Sequence, residues 1–220
     1  NKPYIFVNPK QYQKHSDKWL KWLNYDENVV IIFPYLNDRA IRLKQFTDMI
    51  KMQHKYNPII FDPGTDFFDE YSDLVTYVAS KTIVDLKNIM VVPNADMLLL
   101  PQNIKYFEYL ERYRTENITT FNTLLAFESN YSLTINTFFT YTLLFQNQDY
   151  YPLYDQEDMD IFISTCLSPT WDITVPADLK HKIIRLSGGS FWLAKEAVRI
   201  YRDTGTFDPA HPSFTHKLDS

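Results

Sequence analysis

Glycine is nearly missing from this chain: four residues in 220, at positions 64, 188, 189 and 205. Gly64 alone lies within the first 187 positions. Loops that wrap phosphate groups use glycine so that backbone N–H groups can approach the ligand closely. A working loop of that kind is therefore excluded from most of the chain. The single cysteine, Cys166, excludes an internal disulfide and fits a reducing, cytoplasmic setting. Cys166 itself reads as a small buried apolar residue rather than a nucleophile. No apolar run approaches the length of about 18 residues that a bilayer span needs. The five histidines form no H-x-x-x-H or H-E-x-x-H pair, which argues against a metal site. A net charge of −5 gives no global attraction for nucleic acid or an anionic membrane. The opening residues, Asn1-Lys2-Pro3-Tyr4, are neither an initiator methionine nor a signal peptide and suggest a domain excised from a longer chain. The sequons at Asn117 and Asn130 and the triplet Asp203-Thr204-Gly205 read as coincidences.

Aromatic residues are abundant, at 16% of the chain, which predicts a ring-rich core. Helical spacing of Tyr12, Trp19, Leu20, Trp22 and Leu23 predicts a helix over 9–24. Val29 to Phe33 is a continuous β-branched run, the pattern of a strand buried on both faces. A helix over 38–55 follows, with Asn37 or Asp38 as its cap and Ile41, Leu43, Phe46, Met49 and Ile50 inward. Short strands are expected at 57–61, 88–92 and 119–127, with helices over 67–81 and 102–114 between them. The segment 137–145 reads as a further β-rich stretch. Beyond about 148–152 the pattern turns helical: 156–167, a break at Ser168-Pro169, then 176–186 and 189–203. The residues after 204 read as an extended linker or tail. Alternating strands and helices imply a parallel sheet covered on both faces.

Five stretches carry a resemblance. Val29-Val30-Ile31-Ile32-Phe33-Pro34-Tyr35-Leu36-Asn37-Asp38-Arg39-Ala40 has the outline of a strand, a phosphate loop and a helix start. Ile89-Met90-Val91-Val92-Pro93-Asn94-Ala95-Asp96 resembles a Walker B strand. Leu124 to Asn130 resembles a strand ending in a polar sensor residue, and Ser187-Gly188-Gly189-Ser190 resembles the opening of a lid helix. Tyr151 to Asp158 is similar to the stretch entering that lid, where an acidic turn caps the first lid helix. In order and spacing these are similar to AAA+ and STAND-type P-loop NTPases over nearly the whole chain. The resemblance implies an α/β, three-layer parallel-sheet core over 1–148, a small helical lid over 149–204, and a tail over 205–220.

The same resemblance shows what is replaced. Phe33, Leu36 and Asp38 stand where loop glycines would be, Arg39 on the lysine, and Ala40 on the Ser/Thr. Pro93 replaces the magnesium-binding Asp, and Asn94 the Glu that would activate water. The positions that would bind nucleotide are thus Pro34, Tyr35, Asn37, Asp38, Arg39, Ala40, Pro93, Asn94, Asn130, Gly188 and Gly189. Phosphoryl transfer needs those lost groups together, so no catalytic residue, no metal and no ATP or Mg²⁺ cofactor is expected. Arg39 could still pair with a phosphate, but Asp38 beside it would repel that phosphate. A surface salt bridge for Arg39 is the preferred reading. Function then reads as a non-catalytic scaffold, sensor or regulatory module. The alternatives are a nucleotide-binding ATPase with an atypical loop, or a domain of a DNA-associated replication or transcription factor. Partners would be proteins or like domains, with nucleic acid reached through adjoining regions and no membrane. Lysines along the first two helices, with Tyr12, Trp19 and Trp22, could form a nucleic-acid face; a polar helix surface over core rings is the preferred reading.

Overall fold

A computed structural model of the chain describes residues 9–35, 38–128 and 140–219. Its contacts separate into two units. One comprises Lys14–Tyr35 and Arg39–Tyr151; the other comprises the described parts of Asn1–Gln13, Leu36–Asp38 and Pro152–Ser220.

The first unit is built on a parallel five-stranded sheet. Its strands are β1 (Val29–Phe33), β2 (Tyr56–Ile60), β3 (Lys87–Val92), β4 (Phe121–Glu128) and β5 (Asn147–Tyr150). Their order is β2-β3-β4-β1-β5. The helices of this unit are the part of α1 (Lys10–Asn24) from Lys14 onward, α2 (Arg39–Met52), α3 (Tyr71–Lys81) and α4 (Lys105–Glu116). Val29 to Phe33 pair with Leu124 to Glu128 on one side, and Val29 to Ile32 pair with Asn147 to Tyr150 on the other. All five residues of β1 and the first seven of β4 are buried, as strands covered on both faces must be. Pro58 can sit in β2 because β2 is an edge strand.

One expected strand is displaced. Residues 141–145 of the 137–145 segment form a bend and turn rather than a strand, and residues 137–139 lie outside the described residues. The strand is instead Asn147-Gln148-Asp149-Tyr150, which has no β-branched residue. Backbone pairing to β1 and one buried side chain, Asp149, stand in for propensity there.

Two polar networks pin the sheet. At the start of β1, Asn28 Oδ1 accepts from the Thr123 N–H at 2.9 Å and from Arg114 Nε at 3.2 Å, while Nδ2 donates to Leu143 O at 2.8 Å. The buried Arg114 guanidinium also donates to the carbonyls of Asp26 and Ile118. On β5, Asp149 is buried beside α1. His15 Nδ1 lies 2.5 Å from its carboxylate, Lys18 Nζ donates at 2.7 Å and Trp19 Nε1 at 2.6 Å. Burial alone would raise the Asp149 carboxyl, but the hydrogen bonds from His15, Lys18 and Trp19 together hold it below its ordinary value.

That depression makes a stability prediction. A carboxyl depressed in the folded state stabilises above its ordinary value, and the contribution is lost as pH falls through the folded value. Asp149→Asn should cost about 2 kcal/mol at pH 7, the scale of charged hydrogen bonds. It should also flatten the acid limb of stability relative to the wild type. Glu128, raised by burial, works in the opposite sense in both proteins. The difference between their urea midpoints at neutral and acid pH is therefore the quantity to read; a constant difference would refute the assignment.

The second unit is helical. α5 (Gln156–Ile161) starts at Asp155, whose carboxylate accepts the Asp158 N–H at 2.8 Å. It runs through a π-helical turn, Phe162–Leu167, into Ser168–Trp171. The expected break at Ser168-Pro169 is thus absent. The Ser168 N–H reaches back to Ile163 O, so the ladder is already widened where Pro169 brings no donor. The helix ends at Asp172, in the left-handed region with φ 52°. α6 (Ala177–Ser187) ends at Gly188, and Ser190 caps α7 (Phe191–Thr204).

The expected extended tail is also corrected. Gly205 closes α7 with φ 75°, and the chain then forms α8 (Pro212–Asp219). Phe207 and Phe214 are buried with ring centres 5.2 Å apart, and their burial folds the segment. Tyr154, Phe191 and Phe162 form a second apolar centre. The Phe191 ring stacks at 4.0 Å on Tyr154 and at 4.2 Å on Phe162.

Candidate functional site

Open parallel sheets bind ligands beyond the carboxyl ends of their strands. Here the ends of β1, β3 and β4 bring one cation to two acids. Arg39 is the first residue of α2, and its side chain is 14% exposed. Nη1 donates to Asp96 Oδ2 at 2.5 Å and reaches Ala126 O at 3.5 Å. Nη2 donates to Asn94 Oδ1 at 3.1 Å and lies 3.2 Å from Glu128 Oε1. Asp96 is placed by a 3₁₀ turn, Ala95–Leu99, directly after β3. Its Oδ1 accepts the Glu128 N–H at 2.8 Å, so one buried carboxylate ties the end of β4 to α2.

The charges do not cancel. One guanidinium faces the two carboxylates of Asp96 and Glu128. Burial pushes the Glu128 carboxyl up, and Asp96 adds to the shift while Arg39 opposes it. Chemically the cluster offers hydrogen-bond acceptors and one engaged cation, without a hydroxyl or thiol nucleophile among these residues. Among the described residues, no group of three His, Cys, Asp or Glu side chains could hold a metal ion.

The expected site residues separate into groups. Arg39 and Asn94 meet directly. Arg39 makes an ion pair as expected, but a largely buried one rather than a surface one. Pro34 and Tyr35 are half-buried at the end of β1, and Ala40 is exposed in the first turn of α2. Ala40 and Pro93 share a groove of about 370 Å³ with Leu43, Thr47, Ile60 and Val91. Asn37 and Asn130 lie outside the described residues.

Asp38, Gly188 and Gly189 fall in the helical unit. The Tyr154 hydroxyl contacts both Asp38 carboxylate oxygens, at 2.8 and 3.1 Å. Gly188 and Gly189 have φ of 57° and 86° and form the turn between α6 and α7. A Cβ on Gly189 would collide with the Tyr154 carbonyl, whereas one on Gly188 meets open space.

Asp96 and Glu128 are the members that sequence reasoning left out of the site. A signal for Asp96 existed: it is a lone acid within Ala95-Asp96-Met97-Leu98-Leu99-Leu100, and an acid in an apolar run needs a cation if it is buried. Of the rings in the expected nucleic-acid face, Tyr12 and Trp19 are buried, while Trp22 is half-buried with Lys18 Nζ 4.7 Å from its ring centre. Lys10, Lys18 and Lys44 are paired with Glu157, Asp149 and Asp48.

The sequence matches no protein-family model and no curated protein. Solved structures do match. A Walker-type ATPase of Pyrococcus abyssi superposes with a TM-score of 0.63 at 11% identity, over 97% of this chain and 75% of that one. Cdc6p from Pyrobaculum aerophilum gives 0.60 at 9% identity, over 93% of this chain and 64% of its own. Orc1 of Aeropyrum pernix, solved in complex with DNA, gives 0.58 at 12% identity, over 90% of this chain. The matched region spans 60% of that Orc1 chain. No helix among the described residues is long and apolar enough to cross a membrane. Identities this low speak to architecture alone. The chain has the α/β P-loop NTPase fold that these AAA+ ATPases share.

Proposed function

We propose that this chain is a degenerate AAA+/STAND-type P-loop domain that does not hydrolyse nucleotide. It works as a scaffold, sensor or regulatory module of a larger cytoplasmic protein or assembly. The observation that carries this reading is the pairing of Arg39 with Asp96 and Glu128. A triphosphate seeking Arg39 would have to displace two carboxylates and then lie against their uncompensated charge. Pro93 and Asn94 bring no anionic ligand for magnesium, and Asp96 is already committed to Arg39 and the Glu128 N–H. The residues present do not fit Mg-ATP.

Phosphate release from Mg-ATP tests this. Wild type and Arg39→Ala should both stay at the rate without protein, because the groups that stabilise the transition state are absent. Release that disappears in Arg39→Ala would refute the reading.

A second reading has support of its own: the domain belongs to a DNA-associated factor. Orc1 in complex with DNA and Cdc6p share its architecture. Retention on DNA that falls steeply with salt would favour it, and salt-insensitive or absent retention would count against it.

A further inference from the structure

We propose that the first turn of α1 is held to α5 by a proton-operated clasp, in which Asp158 Oδ2 carries a proton and donates it to Gln11 Oε1. The clasp does not rest on either reading of function, and its test uses neither nucleotide nor DNA. Lys10 to Gln13 and the whole of α5 belong to the helical unit. Lys10 joins them twice. Its backbone N–H hydrogen-bonds the Asp158 carboxylate, and its Nζ pairs with Glu157 Oε1 at 2.7 Å.

The junction is short of donors. Asp158 is only 5% exposed, and its Oδ2 has no hydrogen-bond partner among the described residues. Gln11, one residue beyond Lys10, buries its Oε1 with no partner either. Both atoms are acceptors, so neither can satisfy the other while Asp158 is ionised. A buried acceptor left unpaired is costly, and more so when it carries charge. One proton on Oδ2 removes both deficits, since it neutralises the carboxylate and creates the missing donor.

The surroundings favour that proton. Burial, then the charge of Asp155, raises the Asp158 carboxyl above its ordinary value, and Glu157 adds to the shift. Lys10 opposes them from α1, through its N–H and its ammonium group. The π-helical turn after α5 contributes no charged residue. On α6, Lys180 pairs with Asp160 at 2.6 Å, while His181 and Arg185 line a groove with Gln156, Glu157 and Asp160. A carboxyl raised in the folded state adds stability below its ordinary value, and that contribution is lost as pH rises through the folded value. Acid therefore tightens the clasp, and neutral pH loosens it.

Asp158→Asn tests the clasp, because its amide supplies a permanent donor and keeps an acceptor for the Lys10 N–H. At about pH 7.5 the variant should melt about 2–4 °C above the wild type, the worth of one hydrogen bond in a chain of this length. At about pH 4 the two should coincide. NMR of the Asp158 carboxyl carbon in the wild type should give a midpoint above about 3.9, the ordinary value. Gln11→Leu should lower that midpoint by removing the acceptor of the proton. Asp158→Asn melting at or below the wild type at pH 7.5 would overturn the proposal, as expected if a water bridges the two oxygens. A midpoint that Gln11→Leu raises would also overturn it, since the amide would then be turned over with Nε2 donating to an ionised Asp158. A midpoint that Gln11→Leu leaves in place would overturn the pairing of Asp158 with Gln11.

Discussion

Asp96→Ala is expected to destabilise the protein by about 3 kcal/mol, the lower end of the range for breaking a buried ion pair. For a chain of this length that lowers Tm by roughly 6–12 °C. Two losses combine. The Arg39 guanidinium forfeits its shortest contact, and the Glu128 N–H forfeits its acceptor. Asp96→Asn keeps an acceptor for that N–H and should recover part of the loss. A double-mutant cycle with Arg39→Ala should give a coupling energy of about 1–3 kcal/mol, as for residues in one charge network. Coupling near zero would mean that Arg39 and Asp96 are neighbours without dependence, and the site would lose its internal counter-charge.

The second large effect concerns the turn between α6 and α7. Gly189→Ala should cost about 3 kcal/mol, combining strained backbone at φ 86° with a collision against the Tyr154 carbonyl. Gly188→Ala should cost only about 1 kcal/mol, because its left-handed φ of 57° is the sole penalty and its Cβ meets open space. The Tyr154 N–H donates to Gly189 O at 3.1 Å, so the two backbones cannot separate without breaking that bond. Thermal melting of the two variants reads the contrast directly. Equal losses would show that Tyr154 yields, and that the close approach does not hold the turn.

Much of the architecture can be read from residue pattern because the central strands are buried on both faces. β1 is apolar throughout and β3 and β4 are apolar over residues 89–92 and 124–127, and the glycine-poor loop after β1 is visible in composition alone. The rest depends on partners distant in sequence. Asn147 to Tyr150 pairs with β1 although its own residues are polar. Pro169 looks like a helix stop until the preceding π turn is known. The charge of Arg39 is legible, but Asp96 and Glu128 lie 57 and 89 positions away and only the sheet order brings them to it. The two glycines before α7 illustrate the same limit: their sequence suggests a ligand-facing turn, while their geometry also serves packing against Tyr154.

On the proposed reading, Arg39 is held by the protein's own Asp96 and Glu128 carboxylates and is not available to a phosphate. Thermal unfolding with and without Mg-ATP at about 1 mM tests it most directly. A ligand bound with a Kd near 10 μM would then be at about 100 times its Kd and would stabilise the folded state by about 2.7 kcal/mol. In Tm that is about 5–11 °C. No shift is expected for the wild type. A rise of that size, abolished by Arg39→Ala, would contradict the engagement of Arg39 by Asp96 and Glu128.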